Sequence, residues 1–436
     1  MALKLIEKID YMLVKLAIKK LAADGETLKK EQREALLKNL ITVTDSDEMQ
    51  ELMSKLCSGV LISAPARKML WEKLTLHPLP SESVPAIVSA LVASNAMWKE
   101  QREEMLSYLL TCPLSARQIQ ECVLSIVDEV ECKKHGTAKI LNNYYSFKTA
   151  FDSLRPWVDE ERPEWKNGIE TAFKKALFEN AAPQDVLLGL ICTDHICHLK
   201  DASIEFIDRK QLWLMMEELL FSEEYYSELS RDDPYILDCG TNIGLAIYYF
   251  KHYYPNARIV GFEPWETAFE CAVRNVERNG WKNVSIHHAA VGKKEDVMQL
   301  TVVEENSLAG SLTGRLDTLI ERKHWSKSVQ NVKVVRLSDY IDCPVDFIKM
   351  DIEGLENDVV KEIGDKLENV SRMFVEYHYG PNLEGNSLTE ILDILTNAGF
   401  AFEISKSRSY AELTKRRPFL HVGEIASELI WAVKKV

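Results

Sequence analysis

At residues 235–250 the chain reads YILDCGTNIGLAIYYF. Three apolar residues follow Pro234 and predict a short buried strand. Gly240 and Gly244 come next, and glycine permits backbone conformations and close approaches that a side chain would prevent. The apolar residues after Gly244 predict a helix, whose first N–H groups and positive dipole end would face the turn. The stretch therefore predicts a strand, a turn and a helix, with room for a ligand on the turn.

The spacing of the two glycines and the acid before them indicate which ligand the turn binds. Dinucleotides and S-adenosylmethionine both bind to turns of this kind. The G-x-x-x-G spacing lacks the three-glycine dinucleotide pattern, and Asp238 at the strand end would repel a pyrophosphate. An acid there suits S-adenosylmethionine, which carries an ammonium and a sulfonium group. We therefore predict S-adenosylmethionine as the cofactor, with ligands on the turn at Asp238, Gly240, Asn242 and Gly244.

Two further strands would complete the cofactor site. The strand at residues 257–262 ends at Glu263 and Pro264, and an acid in this position accepts hydrogen bonds from a ribose diol. We expect Glu263 to bind the ribose, with Pro264 beside it, and a solvated loop acid is the alternative. The third strand is followed by Ala289 and Ala290, whose small side chains leave room for a flat adenine ring.

Two later strands carry polar side chains toward their carboxyl ends. Side chains alternate along a strand, so Lys349 and Asp351 share a face, and Glu376 and His378 do so as well. Strands and helices alternate after residue 235, which predicts a parallel sheet covered by helices on both faces. Ligands bind beyond the carboxyl ends of the strands in such sheets. The residues expected to converge on one cleft are Asp238, Glu263, Asp351 and His378.

The composition is typical of a soluble globular protein. The chain has 436 residues, of which 46% are hydrophobic, and its length predicts two domains. The formal net charge of -14 argues against binding to nucleic acid or to an anionic membrane. Nine cysteines without paired spacing suggest reduced thiols. Charges interrupt the first 22 residues, unlike in a signal peptide, and we expect a cytoplasmic protein without a membrane-spanning segment.

Residues 1–200 are predicted to form an all-helical domain. The sequence KEQRE at residues 30–34 returns at residues 99–103, with a degenerate copy between them. This spacing implies a period of about 34 residues, the size of a helix-turn-helix repeat unit. A stack of such units leaves a concave surface for a protein or peptide partner. A plain helical domain that supports a homodimer or covers the active site is the alternative.

Two segments allow more than one interpretation. C-x-x-H motifs occur at residues 132–135 and 192–195, and Cys197 and His198 follow the second. Thiolate and imidazole ligands at such spacings can hold zinc, whereas buried free cysteines are the alternative. We predict no metal in the active site. Residues 304–330 show little regular pattern and are predicted to form a mobile flap over the substrate, with a disordered insertion as the alternative.

Five short motifs occur in order in the second half of the chain. They are DCGTNIG at 238–244, FEP at 262–264, the pair Asn275 and Asn279, KMDIEGLE at 349–356, and VEYH at 375–378. In this order they resemble the motifs of FkbM-type S-adenosylmethionine-dependent methyltransferases, with Thr241 in place of the usual alanine. The resemblance covers about residues 203–436 and leaves the helical domain outside. It implies an α/β fold of the class I methyltransferase type, a Rossmann-like doubly wound sheet, which we assign to residues 201–436 after the all-helical repeat domain.

The resemblance also implies a reaction, O-methylation of a sugar, a polyketide or another secondary metabolite. An alcohol acceptor must lose a proton, and His378 is the predicted general base because histidine ordinarily titrates near neutral pH. Asp351 is the alternative base. Glu353 would orient Lys349 or the acceptor, and Lys349 would pair with a neighbouring acid. A peptide held by the helical domain is a second kind of acceptor, and a non-catalytic scaffold or peptide-binding protein with the same fold is the alternative function.

Overall fold

The computed structural model describes residues 114–127, 136–303, 306–313, 317–380, 383, 386–405 and 426–435, together with some residues between 84 and 112. These residues fall into two compact units. One comprises the described parts of Met1–Asp152 and Glu161–Leu190, and the other comprises those of Ser153–Glu160 and Ile191–Val436. Most of the predicted helical repeat lies outside the described residues. None of the helices in the described part is long and apolar enough to span a bilayer.

Four α-helices lie between residues 114 and 191 in the described part of the chain. They are α1 (Ala116–Ile126), α2 (Thr137–Leu154), α3 (Pro163–Glu179) and α4 (Pro183–Ile191). α1 begins at a capping box, in which the Ser115 hydroxyl accepts the Gln118 N–H and the Gln118 side chain accepts the Ser115 N–H. An aromatic core joins α2 to α3, where the Phe173 ring lies 5.7 Å from Tyr144 and 5.1 Å from Phe147.

The helical pattern predicted up to residue 200 ends at Ile191. Strands β1 (Cys192–Thr193), β2 (Ile196–His198) and β3 (Ser203–Glu205) form a three-stranded antiparallel sheet instead. Asp194 has a left-handed φ of 52°, which suits a two-residue hairpin turn between β1 and β2. The turn at Asp194 therefore explains why this segment forms strands, although its apolar pattern predicted a helix.

The rest of the second unit alternates strands and helices. The strands are β4 (Tyr235–Cys239), β5 (Arg258–Phe262), β6 (Val284–His287), β7 (Ala290–Val291), β8 (Asp296–Val303), β9 (Asn306–Ser311), β10 (Lys327–Val335), β11 (Phe347–Met350), β12 (Arg372–Tyr379), β13 (Phe400–Ile404) and β14 (Ala426–Lys434). The helices are α5 (Arg209–Met216), α6 (Leu245–Tyr253), α7 (Glu266–Asn279), α8 (Asp317–Lys323), α9 (Glu356–Ile363) and α10 (Leu388–Asn397), and a π-helical turn follows α5 at Glu217–Phe221.

A seven-stranded sheet in the order β13-β14-β12-β11-β4-β5-β6 positions the site. The strands from β12 to β6 in this order are parallel, whereas β14 runs antiparallel to β12 and β13. The chain moves from β4 outward to β5 and β6, and later adds β11 on the other side of β4. The strand order therefore reverses between β4 and β11, and such a switch point opens a crevice at the carboxyl ends of the strands.

The central strands are buried along their whole length. Every residue of β4 and of β11 is buried. Helices cover both faces of a parallel sheet, so its central strands are apolar on both sides. Asp238 and Lys349 are the charged exceptions in these two strands, and they lie directly opposite each other in the ladder. A charged pair is thus built into the core next to the crevice.

A second sheet, in the order β7-β10-β8-β9, occupies the region where an irregular flap was predicted. The described residues of 304–330 form β9, α8 and the start of β10. β10 pairs antiparallel with β8, from Lys327 opposite Val303 to Val334 opposite Asp296. The described residues are therefore regular, contrary to the irregular pattern expected for this segment, because β10 pairs with β8, which precedes the segment and which local periodicity does not reveal as its partner.

Candidate active site

The turn between β4 and α6 depends on two left-handed glycines. Gly240 and Gly244 both have a φ of 85°, a conformation that side chains disfavour. A Cβ atom on Gly240 would lie 2.0 Å from the carbonyl oxygen of Asp351, so the two loops touch at this point. A Cβ atom on Gly244 would lie 3.5 Å from Ala272 of α7. Gly240 therefore keeps the crevice open, whereas Gly244 shapes the start of α6.

Asp238 lies beneath the turn and is completely buried. Within the described part of the chain neither of its carboxylate oxygens accepts a hydrogen bond. The Thr241 hydroxyl donates to the main-chain carbonyl of Asp238 instead, at 3.0 Å, and the Lys349 ammonium is 3.7 Å from Oδ1. Burial raises the pKa of this carboxyl, and Lys349 opposes that shift. A buried acid with two unsatisfied oxygens is costly, and a bound donor would relieve that cost.

Glu263 follows β5 and is also buried. Its Oε2 accepts the Asn242 N–H at 2.7 Å, and its Oε1 accepts the Trp265 N–H at 2.8 Å. The carboxylate therefore ties the glycine turn to the end of β5. A carboxylate has about four acceptor positions, so two remain for a ligand. Burial raises the pKa of Glu263 to about 7, although the two N–H groups oppose the shift.

The raised pKa of Glu263 predicts a pH-dependent loss of stability. The ordinary value is 4.5, so the folded state binds more protons than the unfolded state between that pH and about 7. The stabilising contribution is therefore complete below pH 4.5 and is lost as the pH rises through about 7. Glutamine does not titrate, so Glu263→Gln lacks this loss. The unfolding free energy of the variant minus that of the wild type should therefore rise by about 3 kcal/mol as the pH increases from about 4.5 to about 8. Urea unfolding over this range measures the gain, and parallel pH profiles for the two proteins would contradict it.

Lys349 is 3% exposed and contacts the turn from β11. Its ammonium donates to the carbonyl oxygens of Gly240 at 2.6 Å and Cys239 at 3.2 Å. It also lies 3.7 Å from both Asp238 and Asp351. Burial disfavours the charge, but the neighbouring carboxylates outweigh burial and raise the pKa of Lys349. The same ammonium thus pairs with two acids and supports the glycine turn.

His378 lies near the end of β12 and is 3% exposed. Its Nδ1 is 2.9 Å from Oε1 of Glu356. Its Nε2 lies 3.6 Å from Glu376, 3.7 Å from Glu353 and 3.9 Å from Asp351. One ring nitrogen therefore contacts a buried acid, and the other faces the acidic end of the crevice.

One cavity at the carboxyl ends of the strands brings most of the predicted residues together. Of the predicted cofactor residues, it is lined by Gly240, Asn242, Glu263, Pro264 and Ala290. Of the predicted catalytic residues, it is lined by Lys349, Asp351, Glu353 and His378. Asp238 lies beneath the turn, Gly244 packs on α7, and Ala289 belongs to the hydrophobic core, so these three do not line the cavity.

The cavity also has walls that sequence reasoning did not assign. They are formed by residues of α5 and the π-helical turn, by Tyr225, and by the second sheet; examples are Met215, Glu218, Leu219, Leu300, Val302 and Leu312. Most of these residues are apolar and lie in segments without a ligand-binding motif. Among these examples Glu218 is the one charged residue, an acid next to a buried helix face, and it could have indicated a polar site.

A crevice at a strand-order switch point, with a glycine turn on one side and acids at neighbouring strand ends, is a ligand site of the nucleotide-binding kind. Residues 238–402 match the family model described as Methyltransferase FkbM domain. These residues form a methyltransferase FkbM domain. The match begins at Asp238 and includes Glu263, Asp351 and His378. That domain supplies most of the residues that line the cavity, and Met215, Glu218, Leu219 and Tyr225 precede it.

Proteins with methyltransferase in their names are similar to this chain. Methyltransferase 1 from Beauveria bassiana (strain ARSEF 2860) is 28% identical over 200 residues, which are 42% of this chain and 75% of the relative. Methyltransferase sdnD from Sordaria araneosa is 25% identical over 217 residues, with coverages of 42% and 82%. A crystal structure of methyltransferase FkbM from Methylobacillus flagellatus KT is 14% identical, with a TM-score of 0.32 and coverages of 67% of this chain and 60% of that chain.

The FkbM domain also contains a set of possible metal ligands. Asp351, Glu353 and His378 have ligand atoms within 4.8 Å of one another, and no other group in the described part of the chain converges in this way. Carboxylate oxygens and an imidazole nitrogen are suitable ligands for a divalent cation.

The C-x-x-H motifs do not form such a group in the described residues. The first motif lies outside those residues. In the second, the His195 ring packs against Phe206, at a centroid distance of 5.7 Å. Nearby, the Nδ1 atom of His198 is 3.2 Å from the Ser203 hydroxyl.

Proposed function

We propose that the FkbM domain transfers the methyl group of S-adenosylmethionine to a hydroxyl oxygen of a sugar or another secondary metabolite. The charge of the cavity carries this proposal. Its described lining residues include one lysine and five acids, which are Glu218, Glu263, Asp351, Glu353 and Glu376. The lysine already donates to two carbonyl oxygens of the turn. Such a cavity disfavours a pyrophosphate and suits a cofactor with an ammonium and a sulfonium group.

Two features of the turn fit this cofactor. Because Gly240 has no Cβ, the backbone forms a cradle between β4 and the loop at Asp351. Asp238 lies behind the turn and adds a buried negative charge beside the cavity, which favours a ligand with an ammonium group. The remaining acceptor positions of Glu263 suit a ribose diol, and Ala290 leaves room for an adenine ring. When bound, the cofactor supplies an electrophilic methyl group on sulfur.

The part of the cavity around His378 suits a hydroxylated acceptor. Carboxylates accept hydrogen bonds from hydroxyl groups, and three of them surround Nε2 of His378. A hydroxyl must lose its proton as its oxygen attacks the methyl carbon, and His378 is the proposed base. Leu300 and Val302 line the cavity from β8 and suit the hydrocarbon part of the acceptor. A sugar or a hydroxylated polyketide combines both kinds of surface.

Calorimetric titration of S-adenosylmethionine into the full chain tests the cofactor part of the proposal. We expect saturable binding by the wild type and at least about a tenfold loss of affinity in Asp238→Ala, because the ammonium loses a nearby negative charge. Asp339→Ala is the matched control, since this acid is half-exposed and pairs with Arg336 away from the cavity. The control should bind as the wild type does.

Two results would contradict the cofactor assignment. The first is a folded wild-type protein that gives no binding heat with S-adenosylmethionine or with S-adenosylhomocysteine. The second is equal affinity of the wild type and Asp238→Ala. Tighter binding of NAD than of S-adenosylmethionine would contradict the electrostatic argument directly.

A further inference from the structure

We infer that Glu356 is a positioning residue that sets the tautomer and the orientation of the His378 ring, so that Nε2 carries the lone pair that faces the methyl acceptor. The inference rests on the proposed function, because it assigns Glu356 a part in the same transfer. Glu356 belongs to the KMDIEGLE motif, but its sequence position does not reveal which side chain it contacts.

The contact between Glu356 and His378 determines which ring nitrogen carries hydrogen. Glu356 is 0% exposed, and its Oε1 lies 2.9 Å from Nδ1 of His378. An ionised carboxylate can only accept hydrogen bonds, so Nδ1 must be the donor. A neutral imidazole has a single N–H, and Nε2 therefore keeps its lone pair. Nε2 is the atom that faces the acids at the end of the cavity.

Glu356 is itself held in place by the loop after β11. The same Oε1 accepts the Gly354 N–H at 3.0 Å and lies 3.4 Å from the Ile352 N–H. Its Oε2 lies 3.5 Å from the main-chain N–H of His378. The loop that supplies these donors also carries Asp351 and Glu353. One buried carboxylate thus joins the histidine on β12 to the acidic loop, and the ring has a defined direction relative to both.

This arrangement has a chemical consequence for the transfer. In the proposed transfer the acceptor oxygen would form a bond to the methyl carbon as the carbon–sulfur bond broke, and the electron pair of that bond would remain on sulfur. The hydroxyl proton passes to Nε2 of His378, which leaves an imidazolium ion. Glu356, in contact with Nδ1, stabilises that positive charge, in the way that an acid supports the histidine of a catalytic triad. Glu356 does not touch the acceptor and acts only through His378.

Two substitutions separate the possible roles of Glu356. In Glu356→Gln an amide oxygen can still accept the N–H groups of Nδ1 and Gly354, so the tautomer should be retained while the negative charge is lost. In Glu356→Ala the acceptor is removed, and the tautomer is no longer set. Glu362→Gln is the matched control, because this acid lies on the same helix and contacts Ser338 instead.

Nitrogen-15 NMR of the histidine rings in the full chain tests the inference without an acceptor. The His378 signal is assigned by its loss in His378→Gln, and spectra are recorded at about pH 9, where an ordinary imidazole is neutral. We expect the wild type, Glu356→Gln and Glu362→Gln to show a protonated Nδ1 and an unprotonated Nε2. Glu356→Ala should lose this single tautomer. A wild-type ring protonated at Nε2 alone, or an unchanged signal in Glu356→Ala, would overturn the inference.

The same samples distinguish this inference from the proposed function. Titration with S-adenosylmethionine should give equal affinity in the wild type and Glu356→Gln, because Glu356 does not line the cavity. A wild type that fails to bind S-adenosylmethionine would contradict the proposed function but would leave the tautomer result intact. If Glu356→Ala does not fold, the tautomer of His378 in the wild type still tests the inference. A wild-type ring with hydrogen on Nε2 and none on Nδ1 would overturn it.

Discussion

Replacing His378 by glutamine is expected to lower kcat by about a hundred- to ten-thousandfold, the usual contribution of a general base. Glutamine keeps a polar side chain of similar length but cannot take the acceptor proton at neutral pH. The affinity for S-adenosylmethionine should stay within about twofold of the wild-type value, because the turn and Glu263 are unchanged. The measurement is tritium transfer from methyl-labelled S-adenosylmethionine to a panel of glycosides and hydroxylated polyketides, followed by single-turnover kinetics on the best acceptor.

His252→Gln is the matched control for this experiment. His252 lies on α6, its ring nitrogen is 3.0 Å from Asp201, and it does not line the cavity. The control should retain the wild-type rate. If His378→Gln also retains it, His378 is not the base, and Asp351 becomes the group to test. A lower rate together with weaker cofactor binding would instead assign His378 a structural role.

Replacing Gly240 by alanine should abolish cofactor binding and destabilise the FkbM domain by about 3 kcal/mol or more. Two effects add at this position. The new Cβ would lie 2.0 Å from the carbonyl oxygen of Asp351, so a backbone segment has to move. The φ of 85° is also unfavourable for any residue with a side chain. Urea unfolding measures the stability, and calorimetry measures the binding of S-adenosylmethionine.

Gly280→Ala isolates the conformational part of this effect. Gly280 ends α7 with a φ of 63°, and a Cβ there would meet no atom within 4 Å. We expect a loss of about 1 kcal/mol in this control, with cofactor binding retained. If the two variants lost the same stability, the contact between the glycine turn and the Asp351 loop would contribute nothing. Wild-type affinity for the cofactor in Gly240→Ala would contradict the position of the turn in the site.

The two experiments address two parts of one cavity, the glycine turn and the surroundings of His378. Gly240 belongs to the turn that is proposed to bind the cofactor, and His378 lies among the acids that are proposed to bind the acceptor. Lys349 connects them, because it donates to the turn and pairs with Asp351. A change at Gly240 should therefore remove cofactor binding and turnover together. A change at His378 should affect turnover alone.

The outline of the FkbM domain was predictable from local patterns. Gly240 and Glu263 stand at the ends of short apolar runs, where only a few residue types suit a turn or a ribose ligand. Ligands bind beyond the carboxyl ends of parallel strands, and this rule also predicted that Asp351 and His378 lie at one cleft. It could not separate residues that line the cavity from those behind it. Asp238 lies beneath the turn and Ala289 lies in the core, which depends on the side-chain packing of neighbouring strands.

Long-range contacts account for what could not be predicted. Glu356 and His378 are 22 residues apart and meet because the helix that begins at Glu356 packs beside β12. Lys349 reaches the carbonyl oxygen of Gly240 over a separation of 109 residues, through the pairing of β11 with β4. The second sheet likewise needs β8 and β10 to pair around a long connection. Neither the hydrophobic periodicity nor the spacing of the motifs predicts which of these distant residues come into contact.

The features that could be predicted are those that depend on neighbours in the chain. These are the glycine turn, the acids that close the strands, the parallel α/β order and the FkbM motifs. The tertiary structure alone decided the environment of each acid and base. It buried Asp238 without hydrogen-bond donors in the described part of the chain, tied Glu263 to two N–H groups, and directed the His378 ring by means of Glu356. The physical reason is that charge, burial and hydrogen-bond geometry depend on which strands become neighbours, and local sequence specifies the strands but not the contacts of their side chains.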